Sequence, residues 1–433
     1  MTPLEYGIAG CVLLVLLLVS SMPVAFAMGL VGAVGFAMVI NTQAAMSMVS
    51  AELVSTFSSK SLTVIPLFVF MGQIAFHSGI SRRLFDAAYH WLGPLPGGMA
   101  MATVGACSGF GAICGSGPAT AATMASVALP EMKRYGYDME LATGAVASGG
   151  GLGMLIPPSV VFIVYGVLTE QSVGKLFIAG IGPGVLITLL FCGTIYLRCR
   201  LKPSLGPVSP PLSWRRKFAA LGGVFETLLL FALVMGGMFA GYFTPTEAAA
   251  VGAAGSLLVA LARRRLNGTM LRRSLLETIR TSCMVLAIVA GAVIFGRFLA
   301  ITTIPVKLAG WLAELPVPGW GVMALIVLFY LVVGCFVDAL ALLLLTVPIF
   351  FPVVMDLGYD PIWFGVMIVV VTQMGVISPP VGVNVYVVSG IERDVPLHTI
   401  FRGALPFLAA LVLAAVLLTA FPELTLWLPR MVR

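Results

Sequence analysis

Six polar side chains sit where long apolar segments break: Ser116, Thr120 and Ser148 in the first half of the chain, Asp338, Thr372 and Ser378 in the second. The breaks read Cys114-Gly115-Ser116-Gly117-Pro118, then Ser148-Gly149-Gly150-Gly151-Leu152-Gly153 ahead of Pro157-Pro158, and Thr372 to Pro380. Asp338 stands at the centre of a further apolar stretch, 319–355. Glycine lets a chain leave the helix and proline removes a donor, so such breaks free backbone groups. At membrane depth, freed carbonyls and hydroxyls can coordinate Na⁺, and helix N-termini attract carboxylates. A charge deep in a span is expensive and usually functional, and Asp338 reads as the only acid so placed. Its alternative role is a structural hydrogen bond to a neighbouring break.

Three more residues face the same question. Ser159 and Asn384 lie just past the Pro-Pro pairs and could bond a substrate, or else bond helix to helix; Ser378, already named at its break, is likewise a candidate for the substrate. Arg297 is the only Arg well inside an expected span. It either faces an anionic substrate or snorkels to the outer interface near Ile301 to Pro305. His77, His90 and His398 fall near span ends, which leaves a buried proton relay without a candidate. That favours Na⁺ over H⁺ as the coupling ion, with Asp338 the group that would carry a proton otherwise.

The elements that hold these residues occur twice. Pro130 to Glu170 aligns with Pro352 to Glu392 at a shift of 222, with nine identities in 41 gapless pairs. The identities are mostly Gly, Pro, Tyr and acids: Gly136-Tyr137-Asp138 with Gly358-Tyr359-Asp360, Gly153 with Gly375, Pro157-Pro158 with Pro379-Pro380. Internal duplication in a membrane chain points to a transporter. Ser148 aligns with Val370, so two ion sites built on these repeats should differ in ligands.

Composition sets the class. Of 433 residues, 60% are hydrophobic and 9% charged, against about 25% charged in a soluble domain. An all-α polytopic membrane protein follows, since helices satisfy their own backbone in lipid. The net charge of +7 reflects Lys and Arg clustered in short loops, which the positive-inside rule explains better than nucleic acid does. The seven Cys form no CxxC or Cys/His cluster, so a structural metal or disulfide framework is not expected. No GxxxxGK[ST] motif is present, and neither is a nucleophile–base pair, so ATP hydrolysis and enzyme chemistry are not expected.

Taken in order, 1–61 reads as N-terminal scaffold helices, with spans at 5–21 and 23–40 divided by Ser20-Ser21-Met22-Pro23 and a surface segment at 43–60. Residues 62–197 form the first repeat: a span at 62–80, an interfacial helix at 81–91, a re-entrant hairpin at 98–133, a broken helix at 138–170 and a span at 174–197. Each half of the hairpin is too short to cross about 30 Å of hydrocarbon. Its central break would leave backbone unpaired if it faced lipid. Residues 198–280 carry two basic linkers flanking scaffold spans at 218–240 and 245–262, with Thr244 and Glu247 as a capping box. The second repeat, 281–421, holds a span at 282–300, an interfacial helix at 301–315, a hairpin at 319–355, a broken helix at 361–391 and a span at 403–421. Residues 422–433 are a tail, with Arg430 and Arg433. Inverted repeats place Arg82-Arg83, Lys133-Arg134, Arg198 and both linkers inside, and both termini outside, with ten crossings and two hairpins.

These segments resemble the large membrane subunit of tripartite ATP-independent periplasmic (TRAP) transporters. The matching pieces are IPLFVFMG from Ile65, ICGSGPATAATMAS from Ile113, LPEMKRYGYD from Leu129, GLGMLIPPSVVFIVYG from Gly151, FTPTEAAAV from Phe243 and VISPPVGVNVYV from Val376. They run in order through nearly the whole chain. The resemblance implies an elevator-type fold of the ion-transporter-superfamily kind and Na⁺-coupled import of organic acids across the bacterial inner membrane. It also implies a small four-span partner subunit and a periplasmic substrate-binding protein. Na⁺ would fall at Ser116, Ser148, Gly149 and Gly153, and at Asp338, Thr372 and Gly375. The first hairpin tip departs from the pattern, with Pro118-Ala119-Thr120 where some relatives carry more polar residues. No small-subunit segment precedes Met1, so the partner is expected on a separate chain. The competing expectation is a self-sufficient Na⁺- or H⁺-coupled anion carrier that needs no binding protein.

Overall fold

The computed structural model describes residues 2–20, 22–208, 213–314 and 318–431. Ser21, the 209–212 part of the first linker, Leu315 and Arg433 lie outside the described residues. The chain runs through α1 (Pro3–Val19), α2 (Val24–Val39), α3 (Thr42–Phe57), α4 (Val64–His77), α5 (Ile80–Leu92), α6 (Gly98–Cys114) and α7 (Gly117–Arg134). It continues through α8 (Met139–Leu155), α9 (Val160–Leu168), α10 (Val173–Leu201), α11 (Trp214–Leu221), α12 (Phe225–Phe231), α13 (Gly237–Phe239), α14 (Pro245–Ala262) and α15 (Gly268–Ile301). It ends with α16 (Ile304–Glu314), α17 (Gly319–Gly334), α18 (Ala339–Asp356), α19 (Pro361–Gly375), α20 (Val383–Ile391), α21 (Leu397–Ala420) and α22 (Glu423–Met431). No strand occurs among the described residues. Among the described residues six helices are long and apolar enough to cross a membrane, or up to eight if two bent pairs count as spans. The chain is a multi-pass α-helical membrane protein.

The duplication extends to element boundaries. Adding 222 to α7, Gly117–Arg134, gives 339–356, the bounds of α18. Asp138 caps α8 through the Leu141 N–H, and Asp360 caps α19 through the Ile362 and Trp363 N–H groups. Gly136 and Gly358, at φ +70° and +79°, take the left-handed turn that precedes each cap. Both Pro-Pro bonds, 157-158 and 379-380, are cis.

Glycine sets how closely these elements approach. A Cβ on Gly144 would lie 2.2 Å from the Gly403 carbonyl, and one on Gly375 would lie 2.5 Å from that of Gly334. Backbone therefore packs on backbone at the α8–α21 and α17–α19 crossings, as small residues allow in membrane helices. Around these contacts α6 to α10 pack with α17 to α22, while α2, α4, α14 and α15 pack together beside them.

Three expectations need revision. The second basic segment is not a linker. Asn267 caps a single helix, α15, that runs 34 residues to Ile301, about 51 Å at ~1.5 Å per residue. Its first turns carry Arg272, Arg273 and Arg280 because a helix longer than the hydrocarbon must project into water. The expected span at 218–240 is present within Trp214–Phe239, an apolar stretch long enough to cross a membrane and made of α11, α12, a π-turn at Ala232–Gly236 and α13. The expected span at 62–80 is only 14 residues of helix, meeting α3 at a 54° bend. The tail is no tail: α22 buries Thr425, Leu426 and Pro429 and packs on α10.

Candidate functional site

The hairpin tips, not the helix centres, make the site. The α6–α7 hairpin turns at Gly115, whose φ of +65° suits glycine. A Cβ there would strike the Pro158 carbonyl at 2.6 Å. The tip thus seats in the break between α8 and α9, where the Val160 N–H donates to the Gly115 carbonyl at 3.4 Å. Ser116 follows as the extended N-cap of α7, and its hydroxyl caps no N–H. Its carbonyl accepts from the Thr120 N–H (3.0 Å) and from Thr120 Oγ1 (2.7 Å). A Cβ on Gly153 would meet Thr120 Oγ1 at 2.5 Å and the Ser116 carbonyl at 2.8 Å. Ser116, Thr120 and Gly153, far apart in sequence, therefore share one oxygen-rich spot.

In the second unit Asp338 is the N-cap of α18 and accepts from the Leu340 N–H at 3.0 Å. Ser378 Oγ donates to the Met374 carbonyl and Thr372 Oγ1 to that of Ile368, each at 2.6 Å. Both are buried, at 4% and 1% exposure, so these hydroxyls can offer lone pairs only inward.

Ser116 and Asp338 line the same cavity, of about 270 Å³. Its lining includes no Lys, Arg or His; helix N-termini are its positive ends. Gln73 of α4 and Thr281 of α15 complete the polar lining from the neighbouring helices. Neither was singled out in the sequence, although Gln73 is a lone polar residue within an apolar run; Thr281 stands between Arg280 and Ser282.

Other expected residues fall elsewhere. Gly149 packs on Cys107 of α6, with a Cβ position 3.0 Å from Sγ, so it faces away from Ser116. Ser148 is 2% exposed and its hydroxyl lacks a protein partner. The same holds for both amide atoms of Gln373 and for Asn384 Oδ1, while Asn384 Nδ2 donates to the Ala147 carbonyl at 3.0 Å. Asn384 thus ties α20 to α8. Ser159 caps α9 through the Phe162 N–H and donates to the Met154 carbonyl. Arg297 is outside the cavity lining and pairs with Glu52 of α3 at 2.7 Å. Its substrate role is set aside because a carboxylate of the protein already answers the charge.

The reading of Asp338 as the only acid in a span is also corrected. Glu226 of α12 is 8% exposed. It sits between Arg83, at 2.7 Å, and Arg263. At the same face Lys133, ending α7, bonds Glu392 (3.0 Å) and Asp394 (2.8 Å) beyond α20. Those bonds raise the Lys133 ammonium above its ordinary range, with Asp394 the larger cause. The bond from Lys133 holds the Asp394 carboxyl below the usual carboxylate range. Among the described residues no three His, Cys, Asp or Glu group as for a transition metal. The polar groups at the two tips are carbonyls, hydroxyls and one carboxylate, all hard oxygen donors.

Known proteins resemble the chain in fold and in sequence. The chain resembles the YdaH transporter of Alcanivorax borkumensis, at a TM-score of 0.63 over 99% of this chain and all of that one, with 15% identity. It also resembles Neisseria gonorrhoeae MtrF, at a TM-score of 0.53 over 88% of this chain and 83% of that one; at 15% identity both likenesses concern the fold alone. In sequence it is 40% identical to the C4-dicarboxylate TRAP transporter large permease protein DctM of Pseudomonas aeruginosa, over 87% of this chain and 88% of that protein. It is 33% identical to the sialic acid TRAP transporter large permease protein SiaM of Vibrio cholerae, over 96% of each. The family described as "Tripartite ATP-independent periplasmic transporter, DctM component" matches residues 11–424. The chain therefore belongs to that family, the large permease subunits of TRAP transporters, and is a transporter component of the bacterial inner membrane rather than an enzyme.

Proposed function

We propose that this permease imports an organic acid by Na⁺ symport, in a complex with a small four-span membrane subunit and a periplasmic substrate-binding protein. The observation that carries this reading is the shared cavity of Ser116 and Asp338, which has two helix N-termini and no basic side chain. A carboxylate entering it meets the N–H groups of the first turns of α7 and α18. Na⁺ supplies the remaining positive charge, held by Ser116, Thr120 and Gly153 in one unit and by Asp338, Thr372, Gly375 and Ser378 in the other. Coupling follows from charge: without the cation, the Asp338 carboxylate repels an anionic substrate, and with it the two bind together.

The two hairpins and broken helices form inverted repeats that move as one transport domain past the remaining spans, in an elevator cycle. The Lys133 bridge from α7 to the loop after α20 supports such a unit, because it joins the two repeats at one face. The names of relatives point to carboxylate cargo: C4-dicarboxylate for one and sialic acid for another.

Uptake in proteoliposomes tests the proposal. The chain is reconstituted with its small subunit, loaded binding protein is added outside, and an inward Na⁺ gradient is imposed. Uptake that requires both Na⁺ and the binding protein is expected. Uptake without the binding protein contradicts the tripartite reading, and uptake driven equally by a proton gradient without Na⁺ contradicts the choice of ion.

A further inference from the structure

One basic pocket takes no part in the cavity just described. It lies between α5 and α11 and encloses about 350 Å³. Its charged lining is Arg83 and Arg216 against a single carboxylate, Asp86, with His90 beside them. The ion pairs nearby do not use up its positive charge. Arg83 bonds Glu226 through one terminal nitrogen and the Ser78 carbonyl, at 3.3 Å, through the other, yet Glu226 is shared with Arg263, and Arg83 Nε has no acceptor. Arg216 stands exposed on α11.

Beside the pocket is an aromatic cluster with the form of a membrane-interface belt. Trp91 of α5 meets Trp214 and Phe218 of α11 edge to face, at ring centroid distances of 6.3 and 5.7 Å. The Trp91 indole N–H donates to the Lys217 carbonyl at 3.2 Å, and the Lys217 ammonium lies over the Trp214 ring at 5.0 Å. Trp214 and Phe218 are nevertheless 67% and 60% exposed. Exposed indole and phenyl rings bound to a Lys are costly in water and suited to the headgroup level of a bilayer. The basic loops put this face on the cytoplasmic side.

We propose that this pocket binds the phosphate of an anionic phospholipid headgroup, with its acyl chains running along Trp214 and Phe218. Arg83 and Arg216 clamp the phosphate, and His90 lines the pocket beside it. The choice of a lipid over a free phosphate rests on the exposed aromatic wall, which a soluble ion would leave uncovered. A phosphate there joins α5, which leads into the first hairpin, to α11, which leads into the neighbouring spans. The lipid would thus brace the arm that carries one half of the cavity.

The full chain, purified in a neutral detergent, is tested by thermal unfolding and by native mass spectrometry. Phosphatidylglycerol is expected to raise the melting temperature by roughly 3–6 °C and to remain as one retained adduct, whereas phosphatidylcholine does neither. Arg216→Gln, at an exposed position, should fold normally and lose at least half of that shift, and Arg216→Lys should keep most of it. An equal shift in wild type and Arg216→Gln overturns the pocket assignment. An equal response to phosphatidylcholine overturns the charge argument. The same shift from inorganic phosphate or glycerol 3-phosphate alone overturns the lipid in favour of a soluble anion.

Discussion

Ser116 and Asp338 occupy one position in two copies of the same unit and open into one cavity. They are 222 residues apart, and each is the N-cap of the returning helix of its hairpin. Their difference carries the chemistry. Asp338 turns its carboxylate onto the Leu340 N–H, while the Ser116 hydroxyl leaves the first turn of α7 uncapped. One tip brings its own anion and the other is open to one. The Na⁺-assisted binding proposed above follows from that asymmetry.

The contact between Gly153 and the first tip gives a sharp mutational contrast. Gly153→Ala puts a methyl 2.5 Å from Thr120 Oγ1 and 2.8 Å from the Ser116 carbonyl. The tip must shift, and Na⁺-driven uptake should fall at least tenfold in protein that still inserts. Gly151→Ala, whose nearest neighbour is the flexible Gln373 side chain at 3.4 Å, should keep most of the activity. Equal losses in the two variants would remove the ion-site argument.

Arg297 should prove indifferent to substrate. It pairs with Glu52, away from the cavity. Arg297→Ala is expected to leave the apparent KM within about twofold and to lower stability by ~0.5–1 kcal/mol. A double-mutant cycle with Glu52→Ala measures the pair; a tenfold rise in KM would return Arg297 to the substrate.

The Lys133–Asp394 bridge should appear in the acid limb of stability. A carboxyl held below its ordinary value adds stability at pH values above its unfolded pKa, about 3.9. That stability is lost as pH falls through the lower, folded pKa. The melting-temperature difference between wild type and Asp394→Asn should therefore be present at pH 6, shrink as pH falls below the unfolded pKa and vanish below the lower, folded one. Lys133→Ala should abolish the difference at every pH. A difference that grows on acidification would contradict the bridge.

Glu226 separates Arg83 from Arg263, so its loss leaves two cations facing each other. Glu226→Gln should destabilise by about 1–3 kcal/mol, discounted because Arg263 is half exposed. Arg263→Ala should cost less, since Glu226 keeps Arg83. Melting curves of the two variants in the same detergent decide this, and the reverse order would contradict it.

Residues that are rare in apolar spans made the site legible from sequence. Gly115, Pro157-Pro158 and Asp338 each violate what lipid tolerates, so each marked a break or a tip without any coordinates. Pairings between distant residues were not legible. Nothing local to Arg297 names Glu52, and nothing local to Glu226 names Arg83 and Arg263. Gln73 and Thr281 stayed hidden because an all-round apolar helix does not say which face meets the cavity. The start of α15 was misread for a related reason: hydropathy reports where lipid ends, whereas a helix ends where its caps are.

The most direct test of the central claim is the Na⁺ dependence of uptake in Asp338→Asn, measured with the small subunit and loaded binding protein present. The asparagine oxygen can still accept the Leu340 N–H, so the fold is kept while the charge is lost. The account predicts that the half-saturating Na⁺ concentration rises at least tenfold, with substrate release from the binding protein still dependent on the permease. An unchanged Na⁺ dependence in a folded, active variant would contradict it.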